Sequence, residues 1–185
     1  MENPPILTLD DITVVEATLS DADSVGKFEN SQLLETHGGK VPNLESSQEY
    51  ARRFVSQPQN KYYFVKHKGT GRLLAGGGTS VWLCPYYYRR SHLQAFYSLE
   101  EIRGMHMNSL LQFEVIRYLY SIDVNYVEGY IHSKNKKSLE NSKRNAKRSG
   151  FGELFIFETA ILVYSRLPNF APTWNEHVED VQRLH

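Results

Sequence analysis

The sequence has one cysteine, Cys84, among 185 residues, so no disulfide can form within the chain and its own core must hold the fold. It has no net charge, with 21 Lys+Arg against 21 Asp+Glu, which excludes a uniformly basic nucleic-acid binder and a uniformly acidic solvating chain. No uninterrupted apolar run approaches the ~20 residues of a membrane span, so no membrane partner is expected. The opening Met1-Glu2-Asn3-Pro4-Pro5 lacks the basic stretch and apolar core of a secretory signal, and a cytoplasmic location is expected. The histidines at 37, 67, 92, 106, 132, 177 and 185 never meet cysteine at metal-ligand spacing, so no metal site is expected. The glycine run 76–78 has no Lys-Ser/Thr after it and is not a phosphate-binding P-loop. No internal repeat or low-complexity segment is present. What remains, with 41% hydrophobic and 23% charged residues, is a chain able to bury a core.

The neutral total hides an uneven distribution. Residues 1–60 hold four basic and ten acidic side chains, a balance of −6. Residues 61–92 hold six basic and no acidic ones, and residues 132–150 hold seven basic against Glu140, so each stretch carries +6. Two such stretches focus an anion if the fold brings them to one cleft, and are solvated faces if it does not.

Ile12 to Leu19 is rich in β-branched residues and reads as a strand. Ser20 and Asp21 can cap a helix bearing Val25, Phe28 and Leu33, and a loop follows at 37–43. Ser46 and Glu49 form a capping-box pattern for a second helix that buries Tyr50 and Phe54. Tyr62–Val65 and Leu73–Leu83 read as a hairpin, and its three consecutive glycines imply a bend or a close approach of another group. An excursion over 84–93, containing Tyr86-Tyr87-Tyr88-Arg89-Arg90, precedes a short strand at Gln94–Leu99. From Met105 to Ile122 apolar residues recur at helical spacing around most of the circumference, predicting a central helix. A strand at 126–131, a basic helix over 136–149 stopped by Gly150, and two strands at 154–157 and 160–164 complete the domain, 1–167. Residues 168–185 read as a C-terminal tail. The order predicts an α/β fold, a mixed and mostly antiparallel sheet flanked by helices, with the strands at 94–99 and 127–131 parallel across a right-handed crossover.

This order, from about Ile12 to Arg166, resembles the GNAT superfamily of acyl-CoA-dependent N-acyltransferases. Three local matches carry the resemblance: the opening strand with Ser20-Asp21-Ala22-Asp23; Arg103-Gly104-Met105-His106-Met107-Asn108-Ser109 at the start of the central helix; and Val127–Ile131 followed by Asn135, Ser138 and Gly150-Phe151. The resemblance implies acetyl-CoA or another acyl-CoA as co-substrate, and an amine acceptor that the sequence does not identify. It places the CoA pyrophosphate at the loop Arg103, Gly104, Met105, His106, Asn108 and Ser109, where unpaired helix-start N–H groups and the helix dipole favour an anion. His106 and Asn108 stand where the family pattern has its later glycines, so the side chain at 106 either obstructs phosphate or contacts it. The strand residues Ala95 and Tyr97 would lie along the acyl-CoA, and Asn135 and Ser138 would contact it from the last helix.

For catalysis the family commonly places a carboxylate on or near the fourth strand. Glu100 and Glu101 are the only acids between residues 50 and 113; Glu100 is the candidate base, whereas Glu101 is expected to satisfy helix-start donors or to pair with Arg103. The family's tyrosine acid has no counterpart between Tyr130 and Tyr164, and Ser142, seven residues after Asn135, is the candidate proton relay. The alternative is a catalytically degenerate relative acting as a structural or interaction protein, such as a bacteriophage virion or accessory protein. A protein partner or a second copy is compatible with either, and nucleic acid is not expected.

Overall fold

The computed structural model describes residues 7–37, 42–83, 89–131, 135–148, 151–156 and 161–166. The expected tail at 168–185, Gly150 and the joint at 158–159 lie outside these residues. Among the described residues seven strands form one sheet in the order β1-β2-β3-β4-β5-β7-β6: β1 Ile12–Glu16, β2 Lys61–His67, β3 Leu73–Leu83, β4 Arg89–Ser98, β5 Tyr126–Tyr130, β6 Phe151–Ile156 and β7 Ile161–Arg166. Every pairing is antiparallel except β4 with β5. The sheet is therefore mixed and mostly antiparallel, and the parallel pair stands on either side of the central helix. No helix among the described residues is long and apolar enough to cross a membrane.

Helices α1 (Ala22–His37) and α2 (Leu44–Val55) cover one face and α3 (Met107–Ser121) the other, while α4 (Lys136–Arg148) lies on β6. Their starts differ from the sequence expectation for local reasons. Ahead of α1, a 3-10 turn at Leu19–Asp21 uses Thr18 as its cap. The Asp21 carboxylate accepts from the Thr18 N–H at 2.9 Å and hydroxyl at 2.7 Å, which lowers its pKa. For α2 the cap is Asn43, whose Oδ1 accepts from the Ser46 N–H at 2.8 Å, so the helix begins ahead of the Ser46–Glu49 pattern. Phe54 is buried as expected, but Tyr50 is 45% exposed.

The two faces have different cores. Under α3, Val65, Leu74 and Val81 from the sheet meet Leu110, Leu111, Val115 and Leu119. Under α1 and α2 the side chains are aromatic: Phe28 lies 5.4 Å from Phe64, and Tyr62 lies 5.2 Å from Phe64 and 6.4 Å from Phe54 between ring centroids. The glycine run makes this packing fit. A Cβ on Gly76 would meet the Tyr62 ring at 2.9 Å, one on Gly77 the Phe96 ring at 2.3 Å, and one on Gly78 the Lys61 carbonyl oxygen at 2.3 Å. Close approach by neighbours, one of the two expectations from sequence, accounts for all three.

Candidate functional site

The site is built on a fork. β4 begins at Arg89, inside the stretch expected to be an excursion, and pairs with β3 from Leu83↔Arg89 onward. It meets β5 only at Arg90↔Tyr126, Ser91↔Val127 and His92↔Glu128. The parallel pairing expected at 94–99 therefore lies at the other end of the strand. Here the closed end is clamped: Arg89 N–H donates to Asn125 Oδ1 at 3.1 Å, and Asn125 N–H donates to the Arg89 carbonyl at 2.9 Å. Leu93 still approaches Gly129, where a Cβ would lie 3.8 Å from Leu93 Cδ1. From Gln94 to Ser98 the β5-facing edge of β4 pairs with no strand among the described residues. That arm is also bulged, because the register passes from Gly78↔Gln94 to Gly76↔Tyr97 and leaves Ala95 and Phe96 opposite Gly77.

The open arm leads into the start of α3. A 3-10 turn at Glu100–Ile102 follows β4, and α3 starts at Met107, two residues later than the apolar pattern suggested. Two positive φ angles cause the delay: Gly104 at 92° and His106, the helix cap, at 54°. The turn uses the N–H groups of Arg103, Met105 and Ser109, which donate to Glu100, Ile102 and His106 carbonyls. Those of Gly104, His106, Met107 and Asn108 make no backbone hydrogen bond to a described residue, and so present donors for an anion at the helix start. Asn108 Oδ1 accepts from the Ser98 hydroxyl at 2.9 Å, tying this loop to the end of the open arm. Ser109 is buried, while Met105 and His106 are half-buried.

The other sequence-predicted residues are placed as follows. Arg103 is not aimed at a free anion site: its guanidinium bonds Glu35 of α1, lies over the Tyr97 ring at 5.6 Å and donates from Nε to the Ser98 carbonyl at 3.3 Å. The Glu35 carboxylate holds its pKa above the usual value. Glu101 pairs with Arg72, not Arg103, and Glu100 is exposed beside it. Asn135 caps α4, its Oδ1 accepting from the Ser138 N–H at 3.1 Å, and Ser142 is half-buried two turns further along. Five of the six cations of 61–92 are engaged locally and do not gather into a basic cleft. Lys61, Arg72 and Arg90 pair with Glu16, Glu101 and Glu128, while Lys68 and Arg89 donate to the carbonyls of Asp10 and Ile122.

On the α1/α2 face, a groove of about 740 Å³ runs along the closed end of the fork. Tyr50 and Phe54 of α2, Trp82 of β3, and His92 and Gln94 of β4 line it, with the Arg90–Glu128 ion pair at the strand junction. Gln94 Nε2 donates to Ser80 Oγ at 3.1 Å, and the Tyr50 hydroxyl donates to Gln94 Oε1 at 3.3 Å. Burial lowers the pKa of His92, which favours its neutral imidazole. The sequence analysis missed this groove. Its one local signal was the period-two series Arg90, His92, Gln94, which puts three polar groups on one face of a strand.

No protein-family model matches the sequence, and no curated protein matches it. Solved structures do. A GNAT-family acetyltransferase from Staphylococcus aureus Mu50 is 13% identical over 84% of this chain and 98% of its own, with a TM-score of 0.63. PaiA N-acetyltransferase from Thermoplasma acidophilum, in complex with coenzyme A, is 12% identical with the same coverage and TM-score. An aminoglycoside acetyltransferase from an uncultured soil metagenomic sample, in complex with trehalose, is 10% identical over 80% of this chain and 95% of its own, with a TM-score of 0.61. The chain has the GNAT acyltransferase fold. These neighbours lend no support to a virion or accessory protein.

Proposed function

We propose that the chain transfers an acyl group from an acyl-CoA thioester to an amine. The observation that carries this reading is the fork: β4 leaves β5 after His92, and its arm runs directly into the loop where the N–H groups of Gly104, His106, Met107 and Asn108 have no backbone partner among the described residues. A pantetheine arm is an extended chain of amides, so the unpaired edge at Gln94–Ser98 can receive it as a sheet edge receives a strand. The N–H groups of Gly104, His106, Met107 and Asn108 then face the pyrophosphate. Ala95 and Tyr97 lie on the receiving arm, and Asn135 and Ser138 flank the cofactor from the start of α4. Arg103 contributes by fastening α1 to the end of β4, while the backbone amides supply the anion site.

The acyl donor supplies an activated carbonyl. The amine nitrogen bonds to that carbon, the C–S bond breaks, and the electron pair leaves on sulfur, to be protonated. N–H groups of the open arm stabilise the charge that develops on the carbonyl oxygen. Glu100, exposed at the end of the arm, can take the amine's proton through water, and Ser142 can relay one to the thiolate. Calorimetric titration of the full chain with acetyl-CoA tests the reading. The wild type is expected to bind, and Asn108→Asp, which places a negative charge in the first turn of α3, is expected to weaken binding about tenfold or more. If the wild type binds no acetyl-CoA at millimolar concentration, acyl transfer is excluded.

A further inference from the structure

The groove on the α1/α2 face combines open aromatic surface with a charge pair. Along β4 the side chains of Arg90, His92 and Gln94 share a face, and the register sets Trp82 of β3 beside Arg90 and Glu128 of β5 beside His92. From α2 the groove takes Tyr50 and Phe54, with ring centroids 6.1 Å apart, and Tyr50 is 45% exposed. From the sheet it takes Trp82, 53% exposed, whose ring lies 6.2 Å from that of His92. Large aromatic side chains left open in one concave site offer apolar surface that a flat ring can cover. The Arg90 guanidinium stands over the Trp82 ring at 5.7 Å and donates from Nη2 to Glu128 Oε2. That single contact joins the pair, so Arg90 Nη1 and Glu128 Oε1 make no hydrogen bond among the described residues. Both side chains line the groove themselves, Arg90 at 43% exposure and Glu128 at 12%. The groove also meets the open arm of the fork. Glu128 stands at the last paired position, opposite His92, and Gln94, where the arm begins, is another lining residue. Two residues of strand span about 7 Å, so a group held at Glu128 lies within a side chain's reach of the arm.

We propose that the acceptor is a free aromatic α-amino acid, held as its zwitterion on the Arg90–Glu128 pair. This rests on the acyl-transfer reading and names its substrate. The α-carboxylate accepts from the guanidinium, the α-ammonium donates to the Glu128 carboxylate, and the ring lies against Tyr50 and Trp82. The charge pair chooses among aromatic ligands. A simple amine would answer Glu128 and set a second cation beside Arg90; a simple carboxylate would do the reverse. A zwitterion answers both and leaves the net charge of the site unchanged. The groove, about 740 Å³, has the size of a small-molecule site. In the transfer the α-nitrogen is the nucleophile, its excess proton leaves through water to the base, and the bonds change as set out above. The product, an N-acyl amino acid, has lost the positive charge that Glu128 holds, which favours its release.

Calorimetric titration of the full chain with L-phenylalanine tests this. Phenethylammonium chloride, sodium 3-phenylpropionate and N-acetyl-L-phenylalanine, at equal ionic strength, are the comparisons, since each lacks one of the two charges. L-Phenylalanine should bind, and each comparison should bind about tenfold or more weakly, the effect of losing one charge-assisted contact. Equal affinity for L-phenylalanine and any of the three overturns the proposal, as does no binding of L-phenylalanine at tens of millimolar. Trp82→Ala, at an exposed position, should weaken L-phenylalanine about fivefold or more, and an unchanged affinity removes the ring from the groove and overturns the proposal. Glu128→Gln should weaken it as the loss of the ammonium does; if that variant does not fold, 3-phenylpropionate reads the same contact on the wild type. No acyl-CoA is present, so this result is separate from the acetyl-CoA titration, and either can fail alone.

Discussion

The two faces of the sheet are covered by helices in the same way and filled in opposite ways. Beneath α3 the buried side chains are mostly aliphatic, and Leu111, Val115 and Leu119 are fully excluded from solvent. Beneath α1 and α2 the aromatic side chains Phe28, Phe54, Tyr62 and Phe64 fill the core, and Glu29 Oε1 and the Tyr62 hydroxyl are buried without a hydrogen-bond partner. An aliphatic core gives the larger return in stability, because close-packed hydrocarbon leaves nothing unsatisfied. The aromatic core leaves those two polar atoms unsatisfied, which costs stability. The lesson is a contrast in packing: one face is closed by hydrocarbon under α3, and the other gives up some stability by enclosing polar atoms.

The largest effect should come from the aliphatic face. Leu111→Ala removes a fully buried side chain from the middle of α3 and should cost about 2–5 kcal/mol in urea denaturation. A loss below about 1 kcal/mol would show that this face is loosely packed and would break the contrast.

A smaller and pH-dependent effect should come from the aromatic face. The folded-state pKa of Glu29, about 7, lies above its ordinary value of 4.5, so the folded chain keeps the proton longer than the unfolded one. The associated stability is fully present below about 4.5 and is lost as pH rises through about 7. The loss is on the order of 3 kcal/mol. Glu29→Gln cannot ionise, so its stability should fall less over that window. Urea midpoints for both chains at the two ends of the window check this, and parallel curves would mean that Glu29 is solvated after all.

Much of the aliphatic face was legible in the sequence, because the apolar periodicity of 107–121 and the β-branched strands around it point to one core. The fork was half legible. The parallel relation of the two strands followed from strand–helix–strand order, but the place where they part did not. The polar series Arg90, His92, Gln94 disguised the first half of β4, and the pairing itself lies in that half. The loop at 103–109 was legible as a helix start, but the partner of Arg103 was not. Glu35 lies 68 positions earlier, and only the packing of α1 on β4 brings the two together. The groove draws on α2, β3, β4 and β5, so no local pattern describes it. Glu29 did carry a signal: it sits four residues after Val25, on the apolar stripe of α1, where a carboxylate is out of place.

The smallest effect concerns the loop that joins the two faces. His106 caps α3 with φ at 54°, a conformation that costs a residue with a β-carbon about 1–2 kcal/mol. Its backbone already has the form that glycine would take there, so His106→Gly needs no rearrangement of the neighbouring amides. Against that gain stands the greater freedom of glycine in the unfolded chain, about 0.5–1 kcal/mol. The net expectation is a stabilisation of about 0.5 kcal/mol, seen as a slight rise in the urea midpoint. Acetyl-CoA affinity should change less than in Asn108→Asp, because the substitution adds no charge. A clear loss of stability would mean that the half-buried imidazole packs well enough to outweigh its strained backbone, and the loop would then belong with the aliphatic face as a structural element. A gain in stability with affinity unchanged would assign the anion site to the backbone amides, with the side chain at 106 neither obstructing nor contacting the ligand.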